Sequence, residues 1–274
     1  CFMNHVPESQ TFNAINIRNI DVGGQQIRIA TKPGRSDVPL IIFNGIGAHL
    51  ELLEPFLTEL RDVETITLDI PGVGGSPPPN LPYSLSGMAS LIGDLLDELG
   101  VKNVDVLGVS WGGMLAQQFA FQYPQRCRKL VLACTGVGAF GVPGNPSVMR
   151  KLLNPLRFIF PNYNTKQVDE ILGIPERTEE KVPDRRAPNL KETRGYTYQL
   201  MAMTGWTSAF WLHLLRQPTL ILAGSNDQVT PLANAWMLSL AIRDSSLRVF
   251  EDGHMLLLSS AGPSARAVEE FLLA

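Results

Sequence analysis

Short apolar runs, each followed by a helix-like segment, recur along almost the whole chain, and few architectures can accommodate such a pattern. Residues 40–43, 66–70, 104–109, 130–133 and 220–223 are continuous and rich in branched side chains, as strands buried on both faces of a parallel sheet are. Helical periodicity occupies 52–60, 85–99 before Gly100, 114–123 before Pro124, and 231–242. Strand and helix in repeated succession require right-handed crossovers and an open α/β sheet covered on both sides. Residues 15–20 and 27–30, linked through Val22-Gly23-Gly24, predict a hairpin leading into that sheet.

With 274 residues, 45% of them hydrophobic, the chain can bury a large core in one domain with an insertion. The insertion is predicted at 137–211, where Pro, Gly, Arg and aromatic residues are frequent and no strand signal interrupts. So long a connection is unusual as bare loop, so it reads as a helical lid over the carboxyl edge of the sheet, where open α/β sheets bind ligands. The expected division is core over 1–136, lid over 137–211, and core again over 212–274.

A net charge of −3 leaves no basic footprint, which argues against nucleic acid and anionic membrane as partners. No apolar run approaches the roughly 18 residues of a membrane span, and the first twenty residues contain no secretory hydrophobic region. Three cysteines, Cys1, Cys127 and Cys134, make an odd count without a disulfide framework, so a reducing cytoplasm is the expected location.

The run 104–109 ends in Gly108-Val109-Ser110-Trp111-Gly112. This is G-x-S-x-G, the strand-to-helix elbow that holds a serine oxygen clear of a sheet. The motif alone is common, but a buried strand before it and a helix after it supply the context it requires. The competing reading makes Ser110 a helix N-cap that accepts a backbone N–H and does no chemistry. A reactive serine needs a base for its proton and a carboxylate to hold that base's tautomer.

Among four histidines, His254 follows the run 247–250 near the C-terminus, where the order serine, acid, histidine places it. His5 lies near the start, and His213 sits in an aromatic-rich, helix-like segment that reads as packing or lid contact. His49, after Asn44-Gly45-Ile46-Gly47-Ala48, is open to a role at the site or at a helix terminus. For the acid, Asp227 stands just beyond the strand 220–223. Glu251 and Asp252 are too near His254 in sequence to approach it from behind. Asp69 precedes Pro71-Gly72-Val73-Gly74-Gly75-Ser76, a turn it would organise. An oxyanion hole is expected from the backbone N–H groups of Ile46 and Trp111. No phosphate-binding motif is completed and no Cys, His or carboxylate spacing suggests a metal. Tyr198, Met201, Trp206 and Trp211 are candidates for substrate binding, or alternatively for the lid's own core.

The blocks Phe43-Asn44-Gly45-Ile46-Gly47-Ala48, Asp69 to Ser76, Gly108 to Ala120, and Gly205-Trp206-Thr207-Ser208 with Trp211-Leu212-His213 resemble the intracellular medium-chain-length polyhydroxyalkanoate depolymerases of pseudomonads, within the α/β-hydrolase superfamily. The resemblance implies the α/β-hydrolase fold: a mostly parallel eight-stranded sheet with helices on both faces and an inserted helical lid. It also implies a serine esterase with the triad Ser110, Asp227 and His254, no cofactor, and a polyester substrate at a granule surface in the cytoplasm. The similarity is weakest over 144–194, and at His49, where the family is expected to carry Asn. Rival expectations keep the triad for a small ester, lactone or carbon–carbon substrate, or keep only the fold for a ligand-binding receptor.

Overall fold

The computed structural model describes residues 15–153 and 190–274. Cys1, His5 and positions 154–189 of the expected lid lie outside the described residues.

The strands are β1 (Asn16–Val22), β2 (Gln25–Lys32), β3 (Leu40–Phe43), β4 (Thr65–Leu68), β5 (Val104–Val109), β6 (Cys127–Ala133), β7 (Thr219–Gly224) and β8 (Ser245–Phe250). They form one eight-stranded sheet in the order β1-β2-β4-β3-β5-β6-β7-β8. β1 and β2 are the predicted hairpin, antiparallel to each other, and β2 is antiparallel to β4; the remaining pairs are parallel. This is the α/β-hydrolase fold.

The continuous apolar runs follow from burial on both faces. In β3, Ile41 and Phe43 join one hydrophobic cluster while Leu40 and Ile42 join the opposite one. The first cluster is covered by α2 (Leu85–Glu98), α3 (Trp111–Gln122) and a helix over Leu232–Ala241. The second packs under α1 (Glu54–Glu59) and the C-terminal helix Ala261–Leu273.

Among the boundaries that differ from expectation, two have identifiable reasons. β6 begins at Cys127 instead of residue 130 because Arg128 donates to the buried Asp105 of β5 (Nε–Oδ1 2.8 Å), which lets a charged residue join the sheet. α3 begins at Trp111 instead of residue 114 because Gly112 is needed for close approach: a Cβ there would lie 2.1 Å from the Phe43 carbonyl oxygen. Glycine's low helix propensity is overridden by packing.

The two ends of the 137–211 segment are clasped together. Gly138 and Thr207 form an isolated antiparallel bridge, Ala139 N–H donates to Trp206 O at 2.8 Å, and Ser208 N–H donates to Val137 O at 3.0 Å. Between those ends the described residues supply α4 (Pro146–Leu152) and α5 (Leu190–Met203).

Candidate active site

Ser110 occupies the junction of β5 and α3 with φ 53° and ψ −115°, a conformation that L-residues avoid and that marks strain held by surrounding structure. The surroundings are close. A Cβ on Gly108 would fall 2.2 Å from Gly112 O, so strand and helix meet backbone to backbone. The Ser110 N–H donates to Ala133 O at 2.9 Å, its carbonyl accepts from Gly113 N–H at 2.9 Å, and Thr135 Oγ1 donates to the same carbonyl at 2.7 Å. The serine side chain makes no capping hydrogen bond, which removes the N-cap alternative.

Asp227 and His254 are brought together by the ends of β7 and β8. The backbone at Gly224 is pressed by the following loop, where a Cβ would meet the carbonyl oxygens of Asp252 and Gly253, each at 2.5 Å. That contact carries His254 over the end of β7. His254 Nδ1 lies 2.8 Å from Asp227 Oδ2, and both side chains are buried. Asp227 Oδ1 accepts the N–H groups of Val229 and Thr230, each at 2.8 Å. Both carboxylate oxygens are therefore engaged, and an acceptor-only carboxylate requires Nδ1 to carry the proton, leaving Nε2 as the basic nitrogen.

Asp69, His49 and Asp252 are committed to other partners, and His213 is exposed. Asp69 is fully buried and accepts from Leu50 N–H (2.7 Å), Gly75 N–H (2.8 Å) and Arg28 Nη1 (3.1 Å); burial pushes its carboxyl above the ordinary value. Arg28 also pairs with Glu51, which in turn faces His49 Nδ1 at 2.9 Å. His49 thus stands at the start of a short 3-10 turn (Leu50–Leu53), tied into this network. Asp252 accepts from the hydroxyls of Ser259 (2.7 Å) and Ser260 (2.6 Å).

The loop after β3 approaches the elbow, since a Cβ on Gly45 would lie 3.8 Å from Ser110 Cβ. Ile46 is in this loop. Trp111 is the first residue of α3, so its N–H has no intrahelical acceptor. Both elements are held by one residue that sequence reasoning missed. Gln199 of α5 is fully buried; its Oε1 accepts from Gly47 N–H at 2.8 Å and its carbonyl accepts from Trp111 Nε1 at 3.0 Å. Its Nε2 is buried and has no partner among the described residues. The only signal was a glutamine among the aromatic and methionine residues at 196–203. Gln199→Met, which keeps the volume and removes the acceptor, is expected to lower kcat about tenfold with KM little changed, the equivalent of one buried hydrogen bond. Steady-state kinetics on a soluble ester checks this; a raised KM at unchanged kcat would assign Gln199 to substrate binding alone.

The four substrate-binding candidates are dispersed. Tyr198 packs edge-on against Tyr83 (6.2 Å between ring centroids) and accepts from Arg194 Nε at 2.9 Å. Met201 is exposed. Trp206 Nε1 donates to Gln118 Oε1 at 2.9 Å, and Trp211 stacks on Phe121 at 4.4 Å. Gln118 and Phe121 lie two to three turns along α3 from Ser110, at least about 12 Å along the helix axis. This packing favours the lid-core alternative for Trp206 and Trp211.

A model of the α/β hydrolase fold family matches residues 38–183, and the chain belongs to that family. Over 259 residues, 93% of this chain and 92% of the relative, it is 44% identical to a poly(3-hydroxyalkanoate) depolymerase from Ectopseudomonas oleovorans. Among solved structures it is similar to a hydrolase from Pseudomonas aeruginosa PA01, with 24% identity, a TM-score of 0.77, and coverage of 96% of this chain and 100% of that one. It is also similar to 2-hydroxy-6-oxo-6-phenylhexa-2,4-dienoate hydrolase from Rhodococcus sp. strain RHA1, with 18% identity, a TM-score of 0.81, and coverage of 95% and 99%. These two structural likenesses concern the fold.

Proposed function

We propose that the protein is a serine carboxylic ester hydrolase that acts through an acyl-enzyme on medium-chain 3-hydroxyalkanoate polyesters or their oligomers. The observation that carries the reading is the buried Asp227–His254 pair (2.8 Å) at the same sheet edge as the strained Ser110 elbow. The 44% identity to the depolymerase supports the substrate class.

In this reading Ser110 Oγ attacks the ester carbonyl while His254 Nε2 takes its proton. Asp227 keeps Nδ1–H in place and stabilises the imidazolium. The carbonyl oxygen, now negative, receives the N–H groups of Ile46 and Trp111. His254 returns its proton to the leaving alkoxide, giving a free hydroxy ester and an acyl-serine. Water, deprotonated by His254, then releases the 3-hydroxy acid and restores Ser110.

In this reading the described ends of the segment 137–211 form the base of a lid that meets the substrate. At its base Phe140 and Phe210 pack edge to face at 5.2 Å while each remains more than half exposed, and exposed apolar groups of this kind suit adsorption to an apolar polymer surface. The reaction is placed in the cytoplasm, in keeping with Cys127 and Cys134 as buried free thiols. Among the described residues no helix is long and apolar enough to cross a membrane.

Nitrophenyl esters of increasing acyl length, together with medium-chain polymer granules, test this function. Each methylene buried in an acyl pocket contributes about 0.8 kcal/mol, so kcat/KM is expected to rise about fourfold per CH₂ and then level off at the pocket's end. The protein is expected to sediment with granules and to release 3-hydroxy acids. Hydrolysis of soluble esters without binding or erosion of granules would refute the polymer substrate and leave a general esterase.

A further inference from the structure

We infer that Cys134, Asp227 and His254 form a binding site for a thiophilic divalent cation such as Zn²⁺ or Cd²⁺, and that the bound ion disables the catalytic base. No sequence spacing suggested a metal site; the fold assembles this one from the ends of three strands. Cys134 directly follows β6 and holds φ 47°, in the left-handed region that non-glycine residues rarely occupy. Its N–H donates to Leu222 O of β7 at 2.9 Å, which anchors it beside the loop carrying Asp227.

The Cys134 Sγ, a carboxylate oxygen of Asp227 and a ring nitrogen of His254 all lie within 4.8 Å of one another, and all three side chains are buried. Thiolate, carboxylate and imidazole are the donor set zinc uses. Bonds of about 2.0–2.3 Å in tetrahedral geometry put donor atoms about 3.3–3.6 Å apart, so small side-chain rotations suffice to close the site. Binding sets a Cys134 thiolate beside the Asp227 carboxylate in a buried space, and a dication neutralises both charges.

Binding is a ligand exchange without redox change. Bonds form from the cation to Cys134 Sγ, to an Asp227 oxygen and to His254 Nδ1. The S–H bond breaks and its proton leaves to solvent. The Nδ1 proton is given up and one is taken at Nε2, so the imidazole stays neutral and one proton is released per ion. Nε2 then carries a hydrogen where a general base needs a lone pair. The inhibitory consequence rests on the catalytic reading of His254, whereas the binding step does not.

Titration of the full chain with Cd²⁺ tests both parts. The expected result is one ion per chain, an ultraviolet thiolate-to-cadmium charge-transfer band and release of one proton. Ester hydrolysis falls in parallel and is restored by a chelator. Cys134→Ala is expected to abolish the band and to raise the half-inhibitory Cd²⁺ concentration at least about tenfold, relative to its own metal-free rate; Cys127→Ala keeps both responses. Should Cys134→Ala fail to fold, Cys134→Ser is the substitute, with the same loss of the band. A band that survives Cys134 replacement, or an unchanged half-inhibitory concentration, overturns the inference. A band and proton release in a protein that hydrolyses no ester even without metal would leave the cation site standing and remove the esterase reading.

Discussion

Ser110→Ala is expected to lose about 10⁶ in kcat on a soluble ester, and His254→Ala a similar amount, because nucleophile and base act as a unit whose single deletions each cost nearly the whole. The fold should survive the serine change. The Ser110 side chain makes no capping bond, and its backbone N–H and carbonyl, which hold the elbow together, are untouched. Circular dichroism and thermal unfolding verify that, and stopped-flow hydrolysis supplies the rate. Residual activity within tenfold of wild type in either variant would show that the elbow is not the reacting centre. The same Ser110→Ala protein should still sediment with polymer granules while releasing no hydroxy acid, which separates adsorption from chemistry.

Asp227→Asn is expected to reduce kcat about 10⁴-fold while leaving the loop in place. The Oδ1 oxygen that accepts from Val229 and Thr230 survives in asparagine, so the amide group is oriented with its Nδ2 toward His254. Nδ1 must then accept a hydrogen bond instead of donating one, and the imidazole proton moves to Nε2, the nitrogen that has to remove the serine proton. Geometry is preserved and the tautomer is wrong. Turnover within tenfold of wild type would place the acid elsewhere. Asp252 is a poor substitute, being held by Ser259 and Ser260, and Asp69 is spent on the Leu50 and Gly75 N–H groups and on Arg28.

How far the site was legible before folding differs from residue to residue. The Ser110 elbow is written in a contiguous stretch, because the need for glycine at 108 and 112 and for a buried strand before it is local. Asp227 was visible as an acid just past a buried strand and His254 as a histidine just past the run 247–250, although their 2.8 Å contact depends on how the loop after β8 seats on Gly224. His49 was ambiguous in sequence because its neighbours permit either role; its bond to Glu51 is a tertiary matter of Arg28 and Asp69. Trp206 and Trp211 were open between substrate binding and the lid's own core, because clustered aromatics signal burial but carry no direction; their contacts with Gln118 and Phe121 of α3 favour the second.

The sequence alone determined the doubly covered parallel sheet, its entry hairpin and the positions at which polar residues emerge at the carboxyl edge, because hydrophobic runs, their periodicity and their terminators act over a few residues. Tertiary structure decided which of those residues meet. It seats Gln199 of α5 against the loop after β3 across 152 residues of chain and on Trp111 across 88, and it sets the Cys134 thiol beside Asp227 and His254. No local pattern encodes such pairings, since they follow from strand order and from how closely glycine lets two backbones approach.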